Sequence, residues 1–315
     1  MVDLLTSILQ ASLPLSMPIL FAAVGEVYAE RAGVLNMGVE GVMTLAAFVS
    51  LWTTFVTGSY VLGLLAGILA GVALGLLHSF ACVKIGVNQL IVGLLIYTMG
   101  GGIADFAYLH VTATTLPIVK PIPNIDIPYV GSYLTSIPYV GPMIFQQNLL
   151  VYLSFAVAIA MGLILYKTTW GLKIRSVGEN PEAADAAGIN VNLTRHLCVL
   201  IGAALAGLGG AAITIGYLGL YNTGDTIVAG RGWIAIVVVI FARWSPFRAM
   251  LGAWIFGFGY SVAATLIGTG GGLSVLTGNP YFLLMLPYIF ALVVILIFHR
   301  GTKPPSSLTV PYKRR

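Results

Sequence analysis

Long apolar runs dominate the chain, and short polar turns separate them. A helix needs about 20 apolar residues to cross the hydrocarbon core of a bilayer. Runs of about this length cover residues 9–29, 33–57, 60–82, 87–108, 148–166, 196–217, 249–268 and 280–299. The pattern therefore predicts an all-α fold, a polytopic bundle of transmembrane helices in one domain that covers residues 1–315.

A further apolar run, residues 232–242, lies between Arg231 and Arg243 and is too short to cross a bilayer unaided. We expect it to be a half-helix, or a span that its neighbours extend, as in transporters with discontinuous helices. The bundle should then have about 8 to 10 spans, with one or more broken or half helices.

Small residues recur at every fourth position in two of the predicted spans. They are Gly63, Gly67, Gly71 and Gly75 in the third span, and Ala203, Ala206, Gly207 and Gly210 in the sixth. Such spacing places a stripe without bulky side chains on one helix face, which lets a second helix approach closely. We expect tight helix packing along both stripes.

Composition agrees with a membrane location. The chain is 58% hydrophobic and 8% charged, with a mean hydropathy of +0.97, far from the averages of soluble domains. We expect the first apolar stretch to be a retained anchor, because no cleavage pattern follows it. The net charge of +5 is explained by orientation in the membrane, so we expect no nucleic-acid partner.

Charge placement predicts that orientation. With nine crossings and the N-terminus outside, only Lys120 and Arg231 of the 15 Lys and Arg residues face outward. Because positive residues collect in cytoplasmic loops, the C-terminus and the polar loop 168–195 should be cytoplasmic. The Pro-rich loop 109–147 should lie outside, either as a cap on the helix ends or as a docking surface for an external partner.

The polar loop contains the signals of a short helix. Asn180 is a suitable N-cap, Pro181 suits the first helical position, and Glu182 lies near the positive end of the helix dipole. Gly188 supplies a C-terminal stop. We predict a helix over Pro181–Ala187 with small alanine side chains on its flank.

Three stretches together resemble a known family. "GENPEAADAAGI" (178–189) resembles the coupling loop of ABC importer permeases. "ERAGVLNMGVEGVM" (30–43) and "GRGWIAIVVVIFARWSPFRAMLGAWIFG" (230–257) resemble the branch that serves branched-chain amino acids, simple sugars and nucleosides. These stretches are most similar to those of the nucleoside permeases, so the resemblance implies a bacterial inner-membrane permease.

The resemblance also implies partners. They are an ABC ATPase subunit, a second permease that is a copy or a paralogue, an extracytoplasmic substrate-binding protein and the surrounding lipid. This chain has no GxxxxGK[ST] loop, so we expect ATP to be hydrolysed on the ATPase, with no cofactor on this chain and no enzymatic role. The implied coupling residues are Gly178, Glu179, Asn180, Pro181, Glu182, Ala183, Ala184, Ala187 and Gly188.

Polar and aromatic residues in or near the spans are candidates for the solute pathway: Asn36, Glu40, Asn88, Gln89, Tyr97, Arg231 and Trp233. Glu40 is the foremost, because an intramembrane carboxylate is costly unless it has a partner or meets water. Each of these residues also has a structural interpretation. The amides and aromatic rings can be helix-packing contacts, Glu40 can stabilise the bundle by bonding to a neighbouring donor, and Arg231 can be a cation at the membrane interface. Because the predicted spans carry few charged residues, we expect a neutral polar solute.

Two other classes of protein remain open. An ion-coupled secondary transporter could use Glu40 as its cation or proton site, but that leaves the coupling loop without a role. An intramembrane enzyme is a weaker hypothesis, because the histidines are scattered and no HExxH occurs. Cys82 and Cys198 lack the spacing of a metal site.

Overall fold

A computed structural model describes residues 4–112, 117–125, 134–223, 227–268, 281–298 and 303–313. Over these ranges the chain is helical between its connections, with one isolated antiparallel bridge between Asn124 and Asn148. In chain order the helices are α1 (Leu4–Arg31), α2 (Val39–Thr57), α3 (Tyr60–Ser79), α4 (Gln89–Thr112), α5 (Val140–Phe145), α6 (Leu149–Lys167), α7 (Thr169–Glu179), α8 (Pro181–Ala186), α9 (Val191–Ile213), α10 (Arg231–Phe241), α11 (Pro246–Gly268), α12 (Tyr281–Leu284) and α13 (Leu286–Phe298).

Within the described ranges, seven helices are long and apolar enough to cross a membrane: α1, α2, α3, α4, α6, α9 and α11. This confirms the all-α, polytopic bundle and seven of the predicted spans. The predicted span over 280–299 is interrupted, since α12 and α13 are separate helices. Pro287 has no N–H to bond the carbonyl four residues earlier, which interrupts the helix there. Residues 280 and 299 lie outside the described part.

The second span begins later than predicted, at Val39 instead of residue 33. Gly33 has a φ of +92° and ends the first helix. The Asn36 side chain then accepts a hydrogen bond from the Gly38 N–H (3.0 Å), which favours a turn over a helix. Glu40 is therefore in the first turn of α2, and not several residues into a span as the sequence suggested.

The short helix α10 confirms the prediction of a half-helix. It contains 11 residues, so its axis is about 16 Å long at 1.5 Å per residue, half of a hydrocarbon core. Residues 219–223 and 227–230 precede it without regular helix.

Helix α1 lies at the centre of the bundle. Almost all of its residues from Leu20 onward are buried, and it packs most extensively on α9 and α11. Helices α3 and α4 lie at the periphery, where they expose large apolar side chains such as Leu69 and Leu95. In a membrane protein this exposed face meets lipid or another membrane subunit.

The predicted small-residue stripes meet each other. A Cβ at Gly67 would lie only 3.0 Å from the Ala211 Cβ, and a Cβ at Gly71 would be within 3.0 Å of Gly207 Cα. Gly210 lies directly against the backbone of Met43 in α2. The prediction of close packing along both stripes is therefore confirmed, and the structure adds that α3 and α9 are each other's partners.

Both stripe helices end in a π-helical turn, Phe80–Ile85 after α3 and Thr214–Leu218 after α9. The second turn is covered by part of the loop 109–147. The Val119 N–H donates to the Gly219 carbonyl (2.9 Å) and the Ile122 N–H to the Ile215 carbonyl (2.9 Å). The described part of this loop thus packs on helix ends, while residues 113–116 and 126–133 lie outside the described ranges.

We predict that Gly100→Ala destabilises the protein whereas Gly102→Ala does not. A Cβ at Gly100 would lie 3.0 Å from Gly41 Cα and closer still to the Gly41 carbonyl, but a Cβ at Gly102 would meet nothing within 4 Å. Overpacking costs about 1–3 kcal/mol, and an exposed helix substitution changes stability by less than about 0.5 kcal/mol. Thermal unfolding of the detergent-solubilised protein measures both, and equal midpoints would contradict the close α2–α4 crossing.

Candidate functional site

The short helix in the polar loop forms as predicted. Asn180 caps α8, since its side-chain oxygen accepts from the Ala183 N–H at 2.9 Å. The helix ends at Ala186, one residue earlier than predicted, with Ala187 as its C-cap. Gly188 follows with a φ of +82°, a conformation that glycine adopts without strain.

The predicted coupling residues divide into an exposed set and a buried set. The exposed ones are Glu179, Asn180, Glu182, Ala183, Ala187 and Gly188, and Pro181 is half-buried. Ala184 is buried in a cluster with Val177 and Val191. Gly178 is buried too, and a Cβ there would overlap the Arg31 carbonyl oxygen. Ala184 and Gly178 therefore hold α8 to the bundle, and the other residues form its outer surface.

Inside the bundle, Glu40 binds the N-terminus of α10. Its Oε1 accepts from the Gly230 N–H (2.8 Å) and its Oε2 from the Gly232 N–H (2.6 Å), and the residue is 2% exposed. The first N–H groups of a helix have no partners within the helix, and they attract negative charge. The carboxylate satisfies two of these groups at a point where water is excluded.

Arg231 is not at the outer surface, where we expected it. It is 8% exposed, its guanidinium lies 4.6 Å from the centre of the Tyr260 ring, and Nη1 donates to the Val228 carbonyl at 2.8 Å. The reason is the shortness of α10. Its other end contacts Arg31 through the Arg243 carbonyl, so its N-terminus lies within the bundle.

Tyr97 and Trp233 form an aromatic pair beside this helix start. Their ring centroids are 5.5 Å apart at an interplanar angle of 67°, and both side chains are half-buried. Tyr97 is held by the close approach of its backbone to Gly41, next to Glu40. The structure therefore brings Glu40, Arg231, Tyr97 and Trp233 of the predicted pathway to one region, the α10 start.

Two buried polar atoms near this region, Arg231 Nε and Tyr217 Oη, have no hydrogen-bond partner among the described residues. Buried polar groups without partners are costly and uncommon. An N–H and a phenol can bind hydroxyl or carbonyl oxygens, and both atoms are enclosed in this conformation.

The predicted amides have structural roles in this conformation. The Gln89 side chain accepts from the Leu35 N–H (2.8 Å), and the buried Asn36 donates its N–H to Glu26 Oε1 (2.7 Å). Asn88 is exposed and caps α4 through the Leu90 N–H (2.9 Å). Together they fix the turn between α1 and α2 and the start of α4.

No group of three or more His, Cys, Asp or Glu residues with metal-binding geometry occurs in the described ranges. The arrangement instead consists of one carboxylate bonded to backbone N–H groups, one guanidinium packed on an aromatic ring, and a half-buried aromatic pair. It can contact a polar solute, but it presents no nucleophile with an adjacent base.

No motif in the sequence singled out two supports of α8, Arg195 and the C-terminal segment 303–313. The charge pattern predicts only that Arg195 is cytoplasmic. A cation a few residues into an apolar helix requires acceptors, and that signal could have singled it out. The segment carried no recognised motif, and its contacts depend on the tertiary fold.

Comparison with known families places nearly the whole chain in one of them. The family described as "Branched-chain amino acid transport system / permease component" matches residues 8–298.

Individual relatives are similar over most of their length. The guanosine ABC transporter permease protein NupQ of Bacillus subtilis is 35% identical over 99% of this chain and 98% of its own. The nucleoside ABC transporter permease protein NupC of Lactococcus lactis is 34% identical over 94% and 93%. A Haloferax volcanii protein provisionally described as the glucose ABC transporter permease protein TsgC13 is 38% identical over 79% and 74%.

We predict that Glu40→Ala lowers the thermal unfolding midpoint clearly, and Glu40→Gln less. Alanine leaves two buried N–H groups unpaired, at about 1–3 kcal/mol each, whereas glutamine keeps one acceptor and loses the charge. Glu182→Ala, at an exposed carboxylate on α8, is the control and should change stability by less than about 0.5 kcal/mol. A Glu40→Ala midpoint equal to that of the control would contradict the anchoring role.

Proposed function

The chain belongs to the family of branched-chain amino acid transport system permease components, and we propose that it is the membrane-spanning subunit of an ATP-driven importer for nucleosides. The observation that carries this proposal is α8. It is a capped helix with an exposed, small-residue surface, supported from behind by Gly178 and Ala184. Such a surface suits docking of a separate ATPase subunit.

Contacts behind α8 provide a path for motion into the bundle. Gly178 packs on the Arg31 carbonyl, and Arg31 Nε donates to the Trp244 carbonyl (3.0 Å) at the end of α10. The Trp244 indole N–H donates to Glu30 Oε2 at 2.5 Å. Displacement of α8 by the ATPase would therefore reach the end of α10 through Gly178 and Arg31.

The other end of α10 lies at the proposed solute pathway. Because Glu40 holds the helix start on α2, and Trp233 contacts Tyr97 of α4, movement of α10 changes the spacing of these three helices. We infer that α10 is the rigid element that links ATPase movement to opening and closing of the pathway. A short helix bonded at both ends transmits displacement without bending.

The nucleoside class is supported by two observations. The half-buried Tyr97–Trp233 pair offers aromatic surface for a base, and the unpartnered Arg231 Nε and Tyr217 Oη suit neutral oxygen atoms. The relatives named for nucleosides and guanosine match nearly the full chain. A simple sugar is the second candidate, favoured by the relative described as a glucose permease; branched-chain amino acids are supported by the family description alone.

An ion-coupled transporter that uses Glu40 is not supported by this geometry. Both carboxylate oxygens accept hydrogen bonds from backbone N–H groups of α10, so the anchoring interpretation accounts for the buried charge.

The proposed assembly includes four kinds of component. The exposed apolar faces of α3 and α4 suit lipid or a second permease, either a copy or a paralogue. An extracytoplasmic binding protein would deliver the solute, and the ATPase would bind ATP, so this chain would carry no catalytic residue. We place α8 and the C-terminus in the cytoplasm of a bacterial cell and the N-terminus outside.

We predict that cells carrying this chain with its native partners take up labelled guanosine, and that unlabelled nucleosides compete whereas glucose does not. ATP depletion should abolish uptake, but an uncoupler should not while glycolysis maintains ATP, because hydrolysis and not an ion gradient drives the step. Competition by glucose alone would replace the nucleoside assignment with a sugar. Uptake that responds to the uncoupler and ignores ATP would overturn the importer.

We predict that Gly188→Glu reduces co-purification of the ATPase about tenfold, equivalent to about 1.4 kcal/mol. The new side chain adds bulk and charge beside α8 and strains a left-handed residue. Gly58→Glu is the matched control, because Gly58 also has a positive φ (+69°) and open space around it, but follows α2 instead of α8. Equal ATPase recovery from both variants would argue against docking at α8.

A further inference from the structure

The C-terminal segment, residues 303–313, runs along the polar loop and bonds to the junction between α7 and α8. The Ser307 N–H donates to the Gly178 carbonyl (2.9 Å), and Ser307 Oγ lies 2.7 Å from the same oxygen. Its neighbour Ser306 donates through Oγ to Glu179 Oε2 (3.0 Å). These bonds attach the segment to the residue that directly precedes the α8 cap.

A buried arginine fixes the segment from below. Arg195, in the second turn of α9, is 2% exposed. Its guanidinium donates to the Ala32 carbonyl (3.0 Å), the Val310 carbonyl (2.9 Å) and Ser307 Oγ (3.1 Å). A buried cation requires such acceptors. One side chain therefore joins the end of α1, the start of α9 and the C-terminal segment.

Tyr312 completes the attachment by packing on the Val177, Ala184 and Val191 cluster beneath α8. Ala184 is the inward-facing residue of α8. The segment thus contacts α8 from the side on which the helix rests, and its position and that of α8 depend on each other.

Between the segment and α8 lies a cavity of about 610 Å³ that opens to the polar end of the bundle. One wall is the start of α8, with Asn180, Pro181 and Glu182. The opposite wall consists of Val310, Pro311, Tyr312 and Lys313 of the C-terminal segment. We call this cavity the tail groove. The carboxylates Glu179 and Glu182 line its α8 side, and one cation, Lys313, lines the opposite side.

We propose that the tail groove is part of the docking surface for the ATPase subunit, so that this subunit binds α8 and the C-terminal segment together. This inference rests on the proposed function. The occupant is a segment of the ATPase with an apolar side chain for the Pro181–Val310 walls and a basic one opposite Glu179 and Glu182. Arg195 is a positioning residue that lies outside the groove lining, and Ser307, a buried residue of the lining, positions the segment through its bonds to Arg195 and Gly178.

Continuity and charge support this occupant. The α8 cap and first turn, Asn180, Pro181 and Glu182, also line the groove, so a partner on α8 would cover part of the groove as well. Glu179 and Glu182 are both exposed, and a cationic partner side chain would be attracted to them. A partner held between α8 and the C-terminal segment would also be unable to slide sideways along α8, whereas a partner bound to one exposed helix could.

The positioning part is tested on this chain alone, by hydrogen exchange of the α8 amides in detergent. We expect Ser307→Ala to speed exchange over residues 181–189 about tenfold, equivalent to about 1.4 kcal/mol, because Arg195 and the Gly178 carbonyl lose a buried partner. Ser306→Ala is the matched control, since its hydroxyl bonds only at the exposed Glu179. Unchanged exchange in Ser307→Ala would overturn the positioning role.

The docking part is tested with the assembled complex. Val310→Asp adds a carboxylate to the groove wall, and it preserves the backbone carbonyl that Arg195 binds. We expect ATPase co-purification to fall about tenfold, and the complexes that remain to hydrolyse more ATP per solute transported. Thr309→Asp is the control, since Thr309 is exposed, lies outside the groove lining and has a positive φ of +67° that Asp tolerates.

The outcomes separate the two proposals. ATPase recovery and coupling equal to the parent in Val310→Asp, together with loss in Gly188→Glu, would overturn the tail groove and leave docking on α8 intact. A parent that brings down no ATPase, even after crosslinking, would overturn the proposed function and the groove with it. A variant that merely folds poorly would show low membrane levels, yet normal ATP use per transported solute in the surviving complexes, which also counts against the groove.

Discussion

The bond between Glu40 and the start of α10 is the constraint on which the interior of this protein depends. A helix of 11 residues cannot cross a bilayer, so one of its ends must lie inside the bundle with N–H groups that neither water nor lipid can satisfy. The Glu40 carboxylate supplies that partner from the first turn of α2. This requires α2 to begin deep in the bundle, which the turn at Gly33–Gly38 allows.

The bundle combines closely packed long helices with one short helix that is held only at its ends. The helices α1, α3 and α9 pack backbone to backbone through small residues such as Gly67, Gly207 and Gly25, and we expect such close packing to make them one rigid block. By contrast, α10 is short and is held at its two ends by polar contacts, through Glu40 and through Trp244. A half-helix of this kind can shift relative to a rigid block without breaking a continuous transmembrane helix.

The polar end of the molecule is a second layer of structure and not a loop that hangs from the membrane domain. Gly178 contacts the end of α1, Arg195 bonds three separate segments, and Tyr312 supports α8 from beneath. Each contact ties the surface proposed for ATPase docking to a transmembrane helix. The junction of α7 and α8 therefore contacts α1 directly, and through Arg31 it connects to the end of α10.

The sequence by itself determined the bundle, the half-helix and α8, because hydrophobic run length, glycine spacing and capping residues act over a few neighbouring positions. Three short stretches of the sequence also identified the family to which the chain belongs. The tertiary structure alone decided that Arg231 lies inside the bundle, that Asn36 and Gln89 fix a turn, and that residues 303–313 lie beside α8. These outcomes depend on partners far along the chain, such as Glu40 with Gly232 or Arg195 with Ser307, and no local pattern specifies which distant donor meets which acceptor.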